Sequence, residues 1–227
     1  MHQLIDKNKY FIYFFSFLFL STLNNLSLNE LNFFKIKTIE VFEEDLKTNT
    51  SVKNDLKKKL MIFKNQNIFL INKDQIKSQI LKNEWILKFS IQKKYPSKLM
   101  VNFKKAVPIA KIVINNQLFF VGSNFRLIKS NISYDNLPNI FGSPKMKDLN
   151  DLINKIRLSK IDYKIVSDFY YLKSGRWNLK TKNNIVIKLN KNKIIESLNL
   201  ASRMLENTDI VIYNSIDFTV TNQIIVN

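Results

Sequence analysis

The side chains able to do covalent or metal chemistry are few in this chain, and their placement does not favour it. It holds one histidine, His2, and no cysteine. A Ser/His/Asp triad, a thiol nucleophile, a disulfide and a zinc site are therefore removed from consideration. Gly122, Gly142 and Gly175 are widely separated, which excludes a glycine-rich phosphate cradle. The one acidic cluster, Glu43-Glu44-Asp45, stands at the end of a candidate strand. Adjacent carboxylates there read as a solvated turn before they read as a metal or acid/base site. Asp148, Asp151, Asp162 and Asp168 fall in polar loop or helix-surface surroundings and are expected to be solvated. Sequence alone leaves a carboxylate pair open, but the chain reads as a binding protein and not an enzyme, with no cofactor and no metal.

What can hold a partner lies in the second half. Trp177 in a strand reads as core. That turns its neighbour Arg176 outward, where a guanidinium can grip a carboxylate through two parallel hydrogen bonds. The stretch from Ile216 to Val226 reads either as the last strand of a sheet or as an exposed edge to which a partner strand adds. On the second reading the binding residues are Arg176, Ile216, Phe218, Thr219, Val220, Thr221 and Asn222.

Positioning these residues requires a folded frame, and the composition allows one. The chain has 227 residues, 45% of them hydrophobic, enough to bury a core in one domain or two small ones. Against 18 Asp+Glu stand 36 Lys+Arg, a net charge of +18, which raises nucleic acid or anionic membrane as partners. Only Arg126, Arg157, Arg176 and Arg203 are arginines, and the lysines are spread over the whole length. Richness in Lys, Asn, Ile and Phe is the signature of an AT-rich genome, so specific nucleic-acid binding is not expected.

Tyr10 to Leu20 is apolar except for Ser16 and follows Lys7 and Lys9, the pattern of an export or anchor signal with its positive flank in the cytoplasm. Two readings compete, a cleaved signal peptide with a short apolar core and an uncleaved anchor extended to reach the ~20 residues a spanning helix needs; since no small-x-small cleavage site follows, the anchor is favoured, over residues 10–28 after a cytoplasmic tail, 1–9. Everything after it is placed outside the cytoplasm.

The exported part opens on a strand from Phe34 to Phe42, with a bulge where the apolar parity shifts between Ile36 and Ile39. Ser51 caps a helix carrying Val52, Leu56, Leu60 and Phe63 on one stripe. An extended connector, Asn67 to Ile71, leads to a capping-box-like Asn72 and Gln75, then to a second helix with Ile76 and Ile80. Leu87, Phe89 and Ile91 alternate with polar residues. So do Leu99, Val101 and Phe103 beyond Tyr95-Pro96-Ser97, giving a hairpin with one buried face. Pro108 marks an edge or a strand end. A tight hairpin is predicted around Asn115-Asn116. Beyond it come a helix over 147–160, a strand from Ile165 to Leu172, a strand pair around 177–189, a helix through Ile194, Leu198, Ala201 and Leu205, and strands over 210–213 and 216–221.

The order strand, helix, helix, strand, strand, with Trp85, Ile91, Pro96, Leu99, Val101, Phe103, Pro108 and Ala110 at their spacing, resembles the POTRA domain of the bacterial cell-division proteins FtsQ and DivIB. The Asn67 to Asn72 connector, Leu137-Pro138-Asn139-Ile140-Phe141-Gly142, Arg176-Trp177-Asn178-Leu179 and Ile216-Asp217-Phe218-Thr219 match further motifs of that family in order. Lys104-Lys105 stand where Glu-Arg is usual. Asn124, Asn184 and Asn190 stand where glycine is common, and asparagine can hold a positive φ in its place. Thr219 replaces a usual arginine and so removes a partner-facing charge.

The resemblance implies an α+β chain with a single transmembrane helix, a POTRA domain over 32–108 and a mixed, mostly antiparallel β domain with two helices over 109–227. It also implies a divisome scaffold of the inner membrane, bulk periplasmic, at the septum. Its expected partners are FtsB- and FtsL-like bitopic proteins and, through them, septal peptidoglycan synthesis, with Arg176 contributing to the contact. A membrane-anchored POTRA chaperone or secretion component, binding extended polypeptides along the edge of residues 98–105, is the alternative.

Overall fold

A computed structural model describes residues 7–22, 32–44, 50–206, 213–220 and 223–227. The chain divides into two compact units, Met1–Lys105 and Ala106–Asn227, with five α-helices among the described residues.

In the first unit, helix α1 (Lys7–Thr22) is apolar and exposed around its surface. Its 16 residues span about 24 Å, short of the ~30 Å hydrocarbon core of a bilayer. Among the described residues no helix is long and apolar enough to cross a membrane; residues 23–28 of the expected anchor lie outside them.

Strand β1 (Thr38–Glu43) begins later than the expected Phe34. Residues 34–36 pair elsewhere: Lys35 bridges Asn67, and the Ile68 N–H bonds the Phe34 carbonyl at 2.9 Å. The parity shift that leaves both Ile36 and Ile39 buried is therefore a change of partner and not a bulge. Helix α2 (Thr50–Leu60) and a short 3-10 turn bury Val52, Leu56, Leu60 and Phe63 as the stripe predicts. Ser51 lies within the helix and not before it.

The connector at 67–71 is a turn, not an extended segment. The Asn67 carbonyl accepts from Leu70 at 3.1 Å and its side chain from Phe69 N–H at 3.0 Å, an Asx turn. Helix α3 (Lys73–Ile80) is capped by Asn72, whose side chain accepts from Asp74 N–H at 3.0 Å.

Strands β2 (Ile86–Lys94) and β3 (Lys98–Lys105) form the predicted hairpin, and the sheet order is β1-β3-β2. Leu99, Val101 and Phe103 of β3 are fully buried against the two helices, and Lys105 Nζ sits 4.2 Å over the Trp85 ring. Because β3 is the central strand, paired on both sides, residues 98–105 offer no free edge. Peptide addition there, on which the chaperone alternative relied, is corrected.

The second unit is built on β4 (Pro108–Ile114), β5 (Gln117–Gly122), β6 (Leu127–Ile128), β7 (Asn139–Phe141), α4 (Met146–Leu158), β8 (Val166–Tyr171), β9 (Trp177–Thr181), β10 (Val186–Lys188), α5 (Ile194–Leu205), β11 (Ser215–Asp217) and β12 (Ile225–Val226). The nine strands make one mixed sheet, ordered β12-β11-β10-β9-β8-β7-β4-β5-β6.

Register aligns Ile140, Phe169, Leu179, Ile187, Ile216 and Val226 across six neighbouring strands. The first five belong to the core with Leu149, Ile153 and Ile156 of α4 and Leu198 and Ala201 of α5, and Val226 packs against it partly buried, so both helices cover this face. Tyr163 joins it from the turn before β8: its hydroxyl donates to the Ile109 carbonyl at 2.6 Å, and burial pushes the phenol's pKa up.

Turn chemistry fixes the hairpins. Asn115 and Asn116 hold φ of 49° and 60°, the two left-handed positions of a type I′ turn. Of the three asparagines expected to replace glycine, only Asn184 has positive φ. Asn124 and Asn190 instead accept from Arg126 N–H and Asn192 N–H through their side chains, a local hydrogen bond glycine cannot make.

Gly142, at φ +91°, ends β7 where an added Cβ would run into the Tyr171 carbonyl. Gly142→Ala is therefore expected to lower unfolding free energy by about 1–3 kcal/mol and to move the denaturant midpoint without changing the slope.

Candidate partner-binding site

The end of the nine-stranded sheet carries the residues singled out for binding. Expected as one strand, Ile216 to Val226 is two: β11 pairs with β10 on one side and with β12 on the other. The break begins at Asp217, whose carboxylate accepts from Thr219 N–H at 2.9 Å and turns the chain out of the ladder.

Pairing polarity then decides which groups are free. Asn227 N–H bonds the Ser215 carbonyl at 3.1 Å and Ser215 N–H bonds the Asn227 carbonyl at 2.9 Å. In an antiparallel ladder successive residues point their main-chain groups to opposite sides. The N–H and carbonyl of Val226 therefore face away from β11, along the outer edge of the sheet.

Side chains sort differently from the expectation. Ile216 is wholly buried and its side chain is closed to a partner; Phe218 is nearly so, with part of its ring left on a cleft wall. Phe218 N–H continues the pairing by bonding the Lys188 carbonyl at 2.9 Å. Val220 is exposed. It lines a cleft of about 180 Å³ with Leu200 of α5, Phe218 and Ile224. Thr221 and Asn222 lie outside the described residues.

Arg176 and Thr219, far apart in sequence, come together. They line a polar cleft with Ser174, Asn190, Lys191 and Asn192. Asn190 Nδ2 donates to the Thr219 carbonyl at 3.4 Å, and Lys191 Nζ to the Ser174 carbonyl at 3.0 Å. Buried Arg176 Nε and Asn178 Oδ1 have no hydrogen-bond partner among the described residues. These two side chains, two residues apart, share the sheet face opposite Trp177 and Leu179, which are core.

On that same open face the register runs Tyr170, Asn178, Lys188, Asp217, Ile225. Lys188 Nζ lies 3.2 Å from the Asp217 carboxylate. Burial pushes that carboxyl's pKa up, but hydrogen bonds from Thr219 and the Lys188 ammonium outweigh it and hold the group below its ordinary 3.8.

Ile224, Ile225 and Val226 were not singled out from the sequence. The β-branched run after the polar Thr221-Asn222-Gln223 break was the available signal.

The four aspartates expected to be merely solvated each have a structural partner. Asp148 accepts from the Tyr171 hydroxyl, Asp151 pairs with Lys155, Asp162 accepts from Lys164 N–H, and Asp168 accepts from Asn139 Nδ2 at 2.7 Å. Among the described residues no three His, Asp or Glu side chains gather as metal ligands. Asp45 of the acidic cluster is outside them.

The family model "POTRA domain, FtsQ-type" matches residues 34–104. Over 148 residues the chain is 29% identical to the cell division protein FtsQ of Rickettsia bellii, covering 62% of this chain and 55% of that one. It is 31% identical over 139 residues to the cell division protein DivIB of Clostridium tetani, covering 60% and 50%. Against FtsQ of Rickettsia felis it is 28% identical over 144 residues, covering 60% and 54%. The chain thus spans about half the length of the curated relatives it matches.

A depressed carboxyl pKa stabilises the fold above the unfolded-state value, and the contribution is lost as pH falls through the folded-state value. Asp217 therefore supports the β10–β11–Thr219 junction fully above about pH 3.8 and withdraws that support in more acidic solution. Asp217→Asn is expected to be less stable at neutral pH and to show a flatter stability profile under acid, measured by urea unfolding across pH.

Proposed function

We infer that this chain, a member of the FtsQ/DivIB family of cell-division proteins, serves as a non-enzymatic divisome scaffold that captures FtsB- and FtsL-like bitopic proteins by strand addition at β12. Through them it links to septal peptidoglycan synthesis. The observation that carries the reading is the outer edge of β12, where the main-chain donor and acceptor of Val226 are turned away from the sheet. A partner strand laid there continues the ladder, with main-chain hydrogen bonds supplying affinity and flanking side chains supplying selectivity.

Two clefts flank that edge. The apolar one at Leu200, Val220 and Ile224 takes an aliphatic side chain. The polar one presents Arg176 to a carboxylate. Thr221 and Asn222, assigned to the contact from the sequence, lie outside the described residues. Within this reading Ile216 acts only from behind, by holding β11 in register, while Phe218 also lends a wall to the apolar cleft.

α1 and the mixed segment 23–28 that follows it form the single-pass anchor of the inner membrane, with residues 1–9 in the cytoplasm, the 32–108 and 109–227 domains in the periplasm, and the protein gathered at the division septum. The exposed surface of α1 from Tyr10 to Leu20, apolar all round but for Ser16, supports this, since such a stretch has no polar side to offer water.

Val226→Pro removes the outward donor while Ile225 and Asn227 keep their pairing to β11, and proline is tolerated at such an edge. It is expected to weaken capture of an FtsB-type periplasmic segment roughly tenfold and to abolish the mid-cell band of an N-terminal fluorescent fusion, with the thermal midpoint nearly unchanged. Undiminished capture refutes strand addition at this edge.

A further inference from the structure

The first unit carries an exposed aromatic cluster that the division-protein reading leaves unused. Phe33 and Phe34 meet edge to face at 5.1 Å, Phe34 and Phe69 at 5.1 Å, and Phe69 and Tyr95 stack at 4.7 Å. Most of this surface is open: Phe33 is 61% exposed, Phe69 53%, Tyr95 57%, and neighbouring Leu70 64%. Soluble surfaces seldom gather large apolar side chains this way without something to cover them.

The rings sit at one tip of the unit, formed by the β2–β3 turn, the 67–71 turn and the residues just before β1. The segments that form and flank this tip carry a collar of lysines. Lys35 bridges Asn67, and Lys37 N–H bonds the Ser97 carbonyl at 2.9 Å. Lys93 Nζ donates to the Ile71 carbonyl at 2.6 Å, Lys94 and Lys98 face each other across the turn, and Lys73 opens α3 directly beside it. The acids nearby are Glu40, which is paired with Lys98 at 2.6 Å, and Asp74 in the first turn of α3. Burial, and after it the charge of Lys73, lower the Lys93 pKa.

The chain also reaches the unit at this tip. Nine residues, 23–31, separate the end of α1 from Asn32, a length that cannot exceed about 35 Å even fully extended. Exposed aromatic rings with lysines beside them, on a short tether to an apolar helix, are the composition of an interfacial membrane contact.

We propose that the tip formed by Phe33, Phe69, Leu70 and Tyr95, with its lysine collar, docks onto the anionic surface of the membrane that holds α1. The proposal rests on the anchor reading above. The rings enter the headgroup layer, and the lysines meet lipid phosphates in a screened, salt-sensitive attraction. The unit is thereby held with β2–β3 turn down, so the polar far end of α3 points into the aqueous space.

Because the sequence lacks cysteine, a single spin label can be placed at will on the full chain. Leu70→Cys samples the tip. Lys82→Cys samples the turn just past the opposite end of α3, a helix of 8 residues and so about 12 Å long. Each labelled chain is reconstituted into vesicles of phosphatidylcholine with phosphatidylglycerol, or of phosphatidylcholine alone. Flotation is measured first, then label accessibility to oxygen against a water-soluble nickel chelate.

The expected result is an oxygen-favoured label at position 70 in anionic vesicles, an aqueous label at position 82, and a shift of position 70 toward the chelate in neutral lipid, in high salt, or with Lys37→Glu and Lys94→Glu together. An aqueous label at position 70 in chains that do float overturns the docking but leaves the anchor standing. A label shielded from both reagents overturns it in favour of a protein contact. Chains that fail to float overturn docking and anchor together.

Discussion

One row of side chains fixes the C-terminal edge of the protein. Ile140, Phe169, Leu179, Ile187, Ile216 and Val226 face one another strand by strand and lie against α4 and α5. Strands as short as β10, β11 and β12 have too few ladder bonds to stand alone. What keeps them in register is burial, at about 1.5–3 kcal/mol for each large aliphatic or aromatic side chain. A slip of one residue would send Ile216 to the solvent face and Asp217 into the core. Register is thus set from behind the sheet, and the outward pattern of Asn178, Lys188, Asp217 and Ile225 follows from it.

That dependence explains which parts of the fold were legible in the sequence. Val52, Leu56 and Leu60 repeat at helical spacing, Leu99, Val101 and Phe103 at strand spacing, and Asn115-Asn116 supplies its own turn geometry; each signal is local. Pairing between distant segments is not. Nothing around Phe34 announces that Lys35 bridges Asn67, and nothing in the Ile216 to Val226 stretch gives the number of strands until Asp217 is seen to hold Thr219. At the candidate site the types of Arg176 and Thr219 were readable, and their sharing of one cleft was not. It arises from the register that carries Asn178 to Lys188 and Lys188 to Asp217. Ile216 was taken for a contact residue because a short alternating strand looks alike from either face.

Electrostatics follows the same division between local pairing and wider field. Ion pairs such as Lys155 with Asp151 or Lys59 with Asp55 are partly exposed neighbours one helical turn apart and add little stability. Lys188 with Asp217 is different in kind, because Thr219 completes it and the junction of three segments depends on it. Beside it, Arg176 Nε and Asn178 Oδ1 are buried without partners, each a cost of about 1–3 kcal/mol. Such orphaned groups are tolerated where a binding surface needs polar atoms held in place before the partner arrives.

The edge strand β12 is two residues long, and the Asn227 carbonyl closes it by accepting from both Asn214 and Ser215. Two copies of the protein meeting edge to edge could share only a couple of hydrogen bonds, too few to offset the freedom lost on association. A strand laid along so short an edge would need contacts beyond the ladder to be held there.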